Sequence, residues 1–335
     1  MDEDIIYVGL DVHKERIAVA VAEGKGGEPQ GLGLIPNQPE SVAKLTRTLQ
    51  AKGRVECCYE AGPCGYGLLR QLRGLGVGCQ VVAPSLIPQA PGDRVKTDRR
   101  DARKLARLLR SGDLTSVWVP DEGHETLRDL SRARDAAVTD LGRARQRLTK
   151  LLLRQGITAP AGMYPWTVRH VAWLDSLRFP QPGQQVVFEE YRKTVEEASS
   201  RVARLEAALA AAAVSTPLAP LIKARLGLRG IGLVTAVGVV AELGDLTRFP
   251  TARQLMAYVG VVPREASSGN RRQRGGITKT GNSHVRRLLV EAAWHYRHRP
   301  YVGKDLARRQ KGLSEQIVHL SWRAQQRLCR RFRKL

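Results

Sequence analysis

Apolar and polar positions along the first quarter of the chain change period several times. "IIYVGLDVHKERIAVAVAE", residues 5 to 23, is two apolar runs split by a polar stretch, and the second run alternates through Ile17, Val19 and Val21. That pattern predicts two strands joined by a short turn around His13 and Lys14, a hairpin. "ESVAKLTRTLQAKG" has helical spacing and ends at Gly53, "RVECCYEAG" is a short buried strand, "YGLLRQLRGLG" is a helix closed by glycine, and "CQVVAP" is a further strand. Strands and helices in alternation predict an α/β layer domain over residues 1–125.

Past "VWVPDEG" the period becomes that of long helices. Ala137, Leu141, Ala144, Leu148 and Leu151 keep a 4-3 spacing, and Tyr191, Val195, Ala198, Val202, Leu205 and Leu209 keep it again. Such a seam predicts long coiled-coil helices over residues 126–215, either two antiparallel arms or one dimerising pair. The Pro- and Gly-rich connector between them has no readable period. A third, mainly helical unit, residues 216–335, opens with "LRGIGLVTAVGVVAELG". Its Gly230 and Gly232 form either a turn that lets backbone N–H groups approach a phosphate or a plain helix-packing turn.

Charge adds a partner to this picture. The 335 residues carry a formal net charge of +23, and residues 251–335 hold 20 lysines and arginines against 4 acids. A polyanion, nucleic acid first, explains such an excess. The five cysteines, Cys57, Cys58, Cys64, Cys79 and Cys329, form no CxxC pair, so neither a disulfide framework nor a zinc site is expected and a reducing cytoplasm fits. The opening "MDEDIIYVGLD" has no basic leader segment, and no apolar run approaches the roughly 20 residues of a membrane span.

Four acids stand out against this basic background. In "KTDRRDARKLARLL", Thr97 is a fitting N-cap for a helix that starts at Asp98, and Asp98 and Asp101, three apart, then share a face. Taken alone, such a pair does no more than complement the positive helix end. Asp11 and Glu60, however, each end a predicted strand, where sites collect on an α/β sheet. Four carboxylates converging from two strand ends and a helix would make an oxygen site for Mg²⁺, with two metals roughly 4 Å apart acting on a phosphodiester.

"YVGLDVHKE", "CCYEAGPCGYGL" and "KTDRRDARKLARLL", in that order, resemble the DEDD domain of bacterial insertion-sequence transposases described as bridge-RNA-guided recombinases. The likeness continues from "LRGIGLVTAVGVVAELG" to "VRRLLVEAAW", which is similar to the same family's C-terminal domain. The resemblance implies an α/β N-terminal RNase H/RuvC-like domain, long coiled-coil helices, and a mainly α-helical C-terminal transposase domain. It implies an acidic tetrad of Asp11, Glu60, Asp98 and Asp101 holding Mg²⁺. It also implies a serine nucleophile in "PREASSGN", Ser268 or, as runner-up, Ser267.

Near that serine, Arg264, Arg271, Arg272 and Arg274 are placed to neutralise charge on a phosphate. "ITKTGNSHVRRLL" offers Thr278, Lys279, Thr280 and Asn282 at a helix start, with Arg286 and Arg287 a turn further on, as nucleic-acid contacts; His284 is a surface or phosphate contact rather than a metal ligand. The partners implied are donor and target DNA, an element-encoded guide RNA, and further copies of the chain in a dimer or tetramer, at work in the cytoplasm on the nucleoid. Two other readings remain: a RuvC-like structure-specific nuclease that uses water, and a non-enzymatic architectural protein whose acids only cap helices.

Overall fold

A computed structural model describes residues 5–88, 97–269 and 271–334; the first four residues of the N-terminal stretch, residues 89–96, Asn270 and Leu335 lie outside it. The chain divides into two compact units, one ending at Val119 and the other beginning at Pro120.

In the first unit β1 (Ile5–Val12) and β2 (Arg16–Glu23) form the expected hairpin, Asp11 opposite Ala18 and Val12 opposite Ile17. A strand that the apolar pattern does not reveal follows: β3 (Gln30–Pro36) pairs antiparallel with β2, with a register shift at Val19 and Ala20. Its residues are exposed or half-buried, so "QGLGLIP" carries no buried apolar face to betray it. Helix α1 (Pro39–Gln50) leads to β4 (Arg54–Glu60), and α2 (Gly67–Gly74) to β5 (Gly78–Val82). Both strands are parallel to their neighbours, and the sheet order is β3-β2-β1-β4-β5.

Side chains alternate across a strand, and the two faces of this sheet differ in size. Val8, Leu10, Ile17, Val19, Cys57 and Tyr59 pack with Val42 and Leu49 of α1 and Leu68, Leu69 and Leu72 of α2. The opposite face is built from small residues. Ala18, Ala20 and Ala22 meet Ala102 and Ala106 of α3 (Asp98–Ser111), while Cys58 and Val82 meet Leu105 and Leu109. At Gly9 the approach is closest. A Cβ there would collide with the carbonyl oxygen of Ala102 and the amide nitrogen of Ala106 and lie 2.9 Å from the Leu105 Cβ. The absent side chain on β1 is what lets α3 lie on the sheet.

The second unit begins with α4 (Glu122–Arg154), 33 residues and so about 50 Å long. It packs against α6 (Pro182–Ser215). Leu127 shares a core with Leu209 and Ala213, whereas Leu148 and Leu151 share one with Phe188 and Val195, so the pair is antiparallel. Arg134–Glu206 at 2.6 Å and Arg201–Asp140 at 3.3 Å hold the same register. The connector that resists sequence reading contains α5 (Val168–Ser176). Its Leu174 is buried, Trp166 and Trp173 flank His170 at 5.4 Å, and the Arg145 guanidinium lies 4.8 Å from the Trp166 ring, closing that end of the pair.

Then come α7 (Ala219–Leu226), α8 (Leu233–Leu243), α9 (Ala252–Tyr258), strands β6 (Pro263–Ser268) and β7 (Arg271–Ile277), α10 (Ser283–Ala293), α11 (Lys304–Gln310) and α12 (Glu315–Phe332). Helix α8 is buried along most of its length, and Ala236, Val237, Val240 and Ala241 share the core of Leu127 and Leu209. Gly230, at φ 78°, is a packing turn: a Cβ would sit 2.5 Å from the Ala292 carbonyl oxygen. No single helix among the described residues is long and apolar enough to cross a membrane.

Candidate functional site

Asp11 and Glu60 stand side by side at the ends of adjacent parallel strands, one position beyond the Leu10–Tyr59 pair that closes the β1–β4 ladder. Asp11 has the parity of Gly9 and Glu60 that of Cys58, so both belong to the α3 face of the sheet. Helix α3 starts where the sequence places it. Thr97 is its N-cap, the hydroxyl accepting from the Arg100 amide at 3.4 Å, and Asp98 and Asp101 occupy the first turn.

A fifth residue joins two of these acids, Asp11 and Asp98, in one cluster. His13, in the β1–β2 turn, sets its Nε2 3.4 Å from Asp11 Oδ2 and 3.6 Å from Asp98 Oδ1. One ligand atom from each of Asp11, His13 and Asp98 lies within 4.8 Å of the other two. Sequence reasoning places His13 in a polar turn and gives it no role. The signal was its position two residues after a strand-end acid.

Burial raises the Asp11 carboxyl above the ordinary carboxylate range; His13 opposes the rise, and the charges of Asp98 and Asp101 add to it. Crowded carboxylates of this kind are relieved by a cation, and the donor set of oxygens with one imidazole nitrogen suits a divalent metal.

The serine segment is a β-hairpin. Ser267 pairs with Arg272 and Ser268 with Arg271 across β6 and β7, and every residue of both strands is exposed. Adjacent strand residues point to opposite faces, so the two hydroxyls diverge. Ser267 Oγ donates to Glu265 Oε1 at 2.9 Å, and the same carboxylate accepts from Arg272 Nε at 3.0 Å and Arg274 Nε at 3.2 Å. The hydrogen bond from Ser267, followed by those from the two arginines, holds the Glu265 carboxyl below its ordinary range. Glu265 therefore anchors both arginines. Arg264 is exposed on the same hairpin.

The other expected contacts have mixed placements. Thr278 and Lys279 are half-buried and exposed respectively ahead of α10, and Lys279 has φ 57°. Asn282 caps α10: its Oδ1 accepts from the Val285 amide at 3.0 Å while its Nδ2 donates to Glu242 at 2.7 Å. Arg286 donates to the Val259 and Thr280 carbonyls at 2.8 and 2.9 Å, and Arg287 pairs with Asp135 and with Glu291. These three side chains are engaged inside the fold. His284 is turned inward too, with Nδ1 3.2 Å from Asp135 and Nε2 3.5 Å from the buried Ser131 hydroxyl.

Two transposase family models match this chain. A DEDD transposase family model of IS110 type matches residues 8–156, a span that contains Asp11, Glu60, Asp98 and Asp101. A second, described as transposase of the IS116/IS110/IS902 family, matches residues 226–308, which contain the serine hairpin and α10. The putative transposase y4qE of Sinorhizobium fredii is 46% identical over 331 residues, covering 98% of this chain and 81% of that protein. The transposase for insertion sequence element IS1533 of Leptospira borgpetersenii is 33% identical, covering 98% and 96%. The transposase for IS1328 of Yersinia enterocolitica is 23% identical over 88% of this chain and 85% of that protein. A DEDD transposase domain together with the Asp11, His13 and Asp98 cluster points to the use of a divalent metal. The chain belongs to the IS116/IS110/IS902 family of transposases.

Proposed function

We propose that this transposase cleaves and rejoins DNA through Ser268, with Mg²⁺ held by Asp11, Glu60, Asp98 and Asp101. The observation that carries the reading is the meeting of Asp11 and Asp98 around one point, with the Glu60 strand end beside it. The strand order β3-β2-β1-β4-β5, antiparallel on one side of β1 and parallel on the other, supports an RNase H/RuvC-like identity for the first unit. When bound, Mg²⁺ supplies Lewis-acid charge to the phosphate oxygens.

In the cleavage step Ser268 Oγ attacks phosphorus. An Oγ–P ester forms as the bond from phosphorus to the departing deoxyribose oxygen breaks; the serine proton goes to a base and the departing oxygen takes one up. Rejoining is the reverse with a strand hydroxyl as nucleophile. Arg271, opposite Ser268, and Arg264 are positioned to neutralise charge that develops on the phosphate. Arg272 and Arg274, tied to Glu265, keep the hairpin in register. Thr278 and Lys279 contact the nucleic-acid backbone at the start of α10, while Asn282, Arg286 and Arg287 hold that start in shape.

The acids and the serine belong to different compact units, so the reading calls for their meeting in an assembled dimer or tetramer on DNA, with coiled-coil contacts along the α4–α6 pair. Donor and target would be chosen by pairing with an element-encoded guide RNA, and the work done in the cytoplasm on the nucleoid. Labelled DNA incubated with protein and Mg²⁺, then run on a denaturing gel, tests the chemistry. The expected result is a protein–DNA adduct that Ser268→Ala abolishes and Ser267→Ala retains, with Asp11→Asn blocking cleavage. Cleavage by Ser268→Ala without an adduct would instead establish a water-using nuclease.

A further inference from the structure

The outer face of α3 offers a surface that neither the acid site nor the serine hairpin explains. Arg100, Arg103, Lys104 and Arg107 stand at i, i+3, i+4 and i+7, which is one helical face. They line an open groove of about 800 Å³ whose far wall is the start of β3, Gln30 and Gly31. Gly31 leaves room for the cation opposite it: a Cβ there would lie 3.3 Å from Arg103 Nε. One acid, Glu28, stands on the rim.

Helix stability does not account for this placement. Arg100 with Lys104 and Arg103 with Arg107 are like charges four apart, each pair costing a few tenths of a kcal/mol, and Arg100 lies at the positive end of the helix dipole. Arg110, one turn on, is used by the fold, donating to the Glu23 and Gly27 carbonyls at 3.1 and 2.8 Å. Arg103, Lys104 and Arg107 have no carboxylate partner among the described residues.

We infer that this groove binds the phosphate backbone of a nucleic-acid strand and leads it to the acid site at the head of the same helix. The span from Arg100 to Arg107 is about 10 Å at 1.5 Å per residue, enough for these side chains to face a short run of consecutive phosphates on one strand. Asp101 is one turn from Lys104, which brings a strand held by these side chains to the carboxylates. The groove reads no bases; it positions. Binding here is separable from the serine chemistry and from metal, because it needs only the cations.

The test uses the full-length chain in EDTA, with fluorescence anisotropy of labelled duplex DNA, single-stranded DNA and single-stranded RNA over a salt series. Simultaneous Arg103→Gln, Lys104→Gln and Arg107→Gln should flatten the slope of log affinity against log salt by about 2 to 3 for the strand that occupies the groove, and weaken it at least about tenfold at low salt. The probe whose slope changes identifies the occupant as DNA or RNA. Arg103→Lys with Arg107→Lys, which keeps the charge, should retain the wild-type slope. Glu28→Gln should tighten binding, and gives a readout should the triple variant fold poorly. Unchanged slopes for all three probes, or no tightening with Glu28→Gln, would overturn the inference.

Discussion

At the scale of single residues, the site depends on a side chain that is missing. Gly9→Ala puts a methyl group against the backbone of α3 at Ala102 and Ala106, neither of which can turn aside. Overpacking of this kind costs about 1–3 kcal/mol, and here the helix that shifts is the one carrying Asp98 and Asp101. Urea unfolding should show that loss, and titration with Mn²⁺ followed by electron paramagnetic resonance should show weaker metal binding in the same variant. Glu242 makes a second prediction. Its side chain is 1% exposed and takes hydrogen bonds from Arg132 at 2.7 and 3.0 Å and from Asn282 at 2.7 Å. Burial alone would raise its carboxyl; the hydrogen bonds from Arg132 and Asn282 and the charges of Arg132 and Arg128 outweigh burial and hold it below the ordinary carboxylate range. A depressed carboxylate stabilises the fold above its unfolded pKa, and that share is lost as the pH falls through the folded value. Glu242→Gln should therefore cost about 1–3 kcal/mol near pH 7 by removing the charge that faces the buried Arg128 and the half-exposed Arg132, and the gap to wild type in urea midpoints should narrow under acid. The placement of Asp11, Glu60 and the Asp98–Asp101 pair at element ends was legible because those elements have a clear period. His13 was not, because its role depends on how the β1–β2 turn folds back over Asp98, and Glu242 was not, because an acid in an apolar helix shows its partners only once α4, α8 and α10 are packed.

Elements were legible in proportion to what they bury. β1, β2, β4 and the α4–α6 seam each present a repeating apolar face to a core, and their periods could be read directly. β3, β6 and β7 bury almost nothing, so their sequences carry no repeating buried apolar face; pairing with a neighbour, which no local pattern records, makes them strands. The same fact predicts their dynamics. A two-stranded hairpin exposed on both faces is marginal in water. Amides of β6 and β7 should exchange with solvent orders of magnitude faster than those of β1 and β4, where the ladder lies between packed helices. If this hairpin works on DNA, its exchange should slow on addition of duplex; slow exchange without DNA would mean that another part of the chain covers it.

At the scale of the whole chain, the two units have cores built from different residues, which makes unfolding a composite event. Val8, Ile17, Tyr59 and Leu69 belong to the first unit, and Leu148, Leu174 and Phe188 to the second, on either side of the Val119–Pro120 division. Two cores that share no residues need not melt together. Scanning calorimetry should resolve two transitions, and point changes assign them. Gly9→Ala should lower one and leave the other in place. Leu148→Ala removes a fully buried side chain from the antiparallel pair and should cost about 2–5 kcal/mol in the other transition alone. A single transition that both substitutions lower together would show that the units fold as one cooperative body, and the acid site could then not be loosened without loosening the serine hairpin.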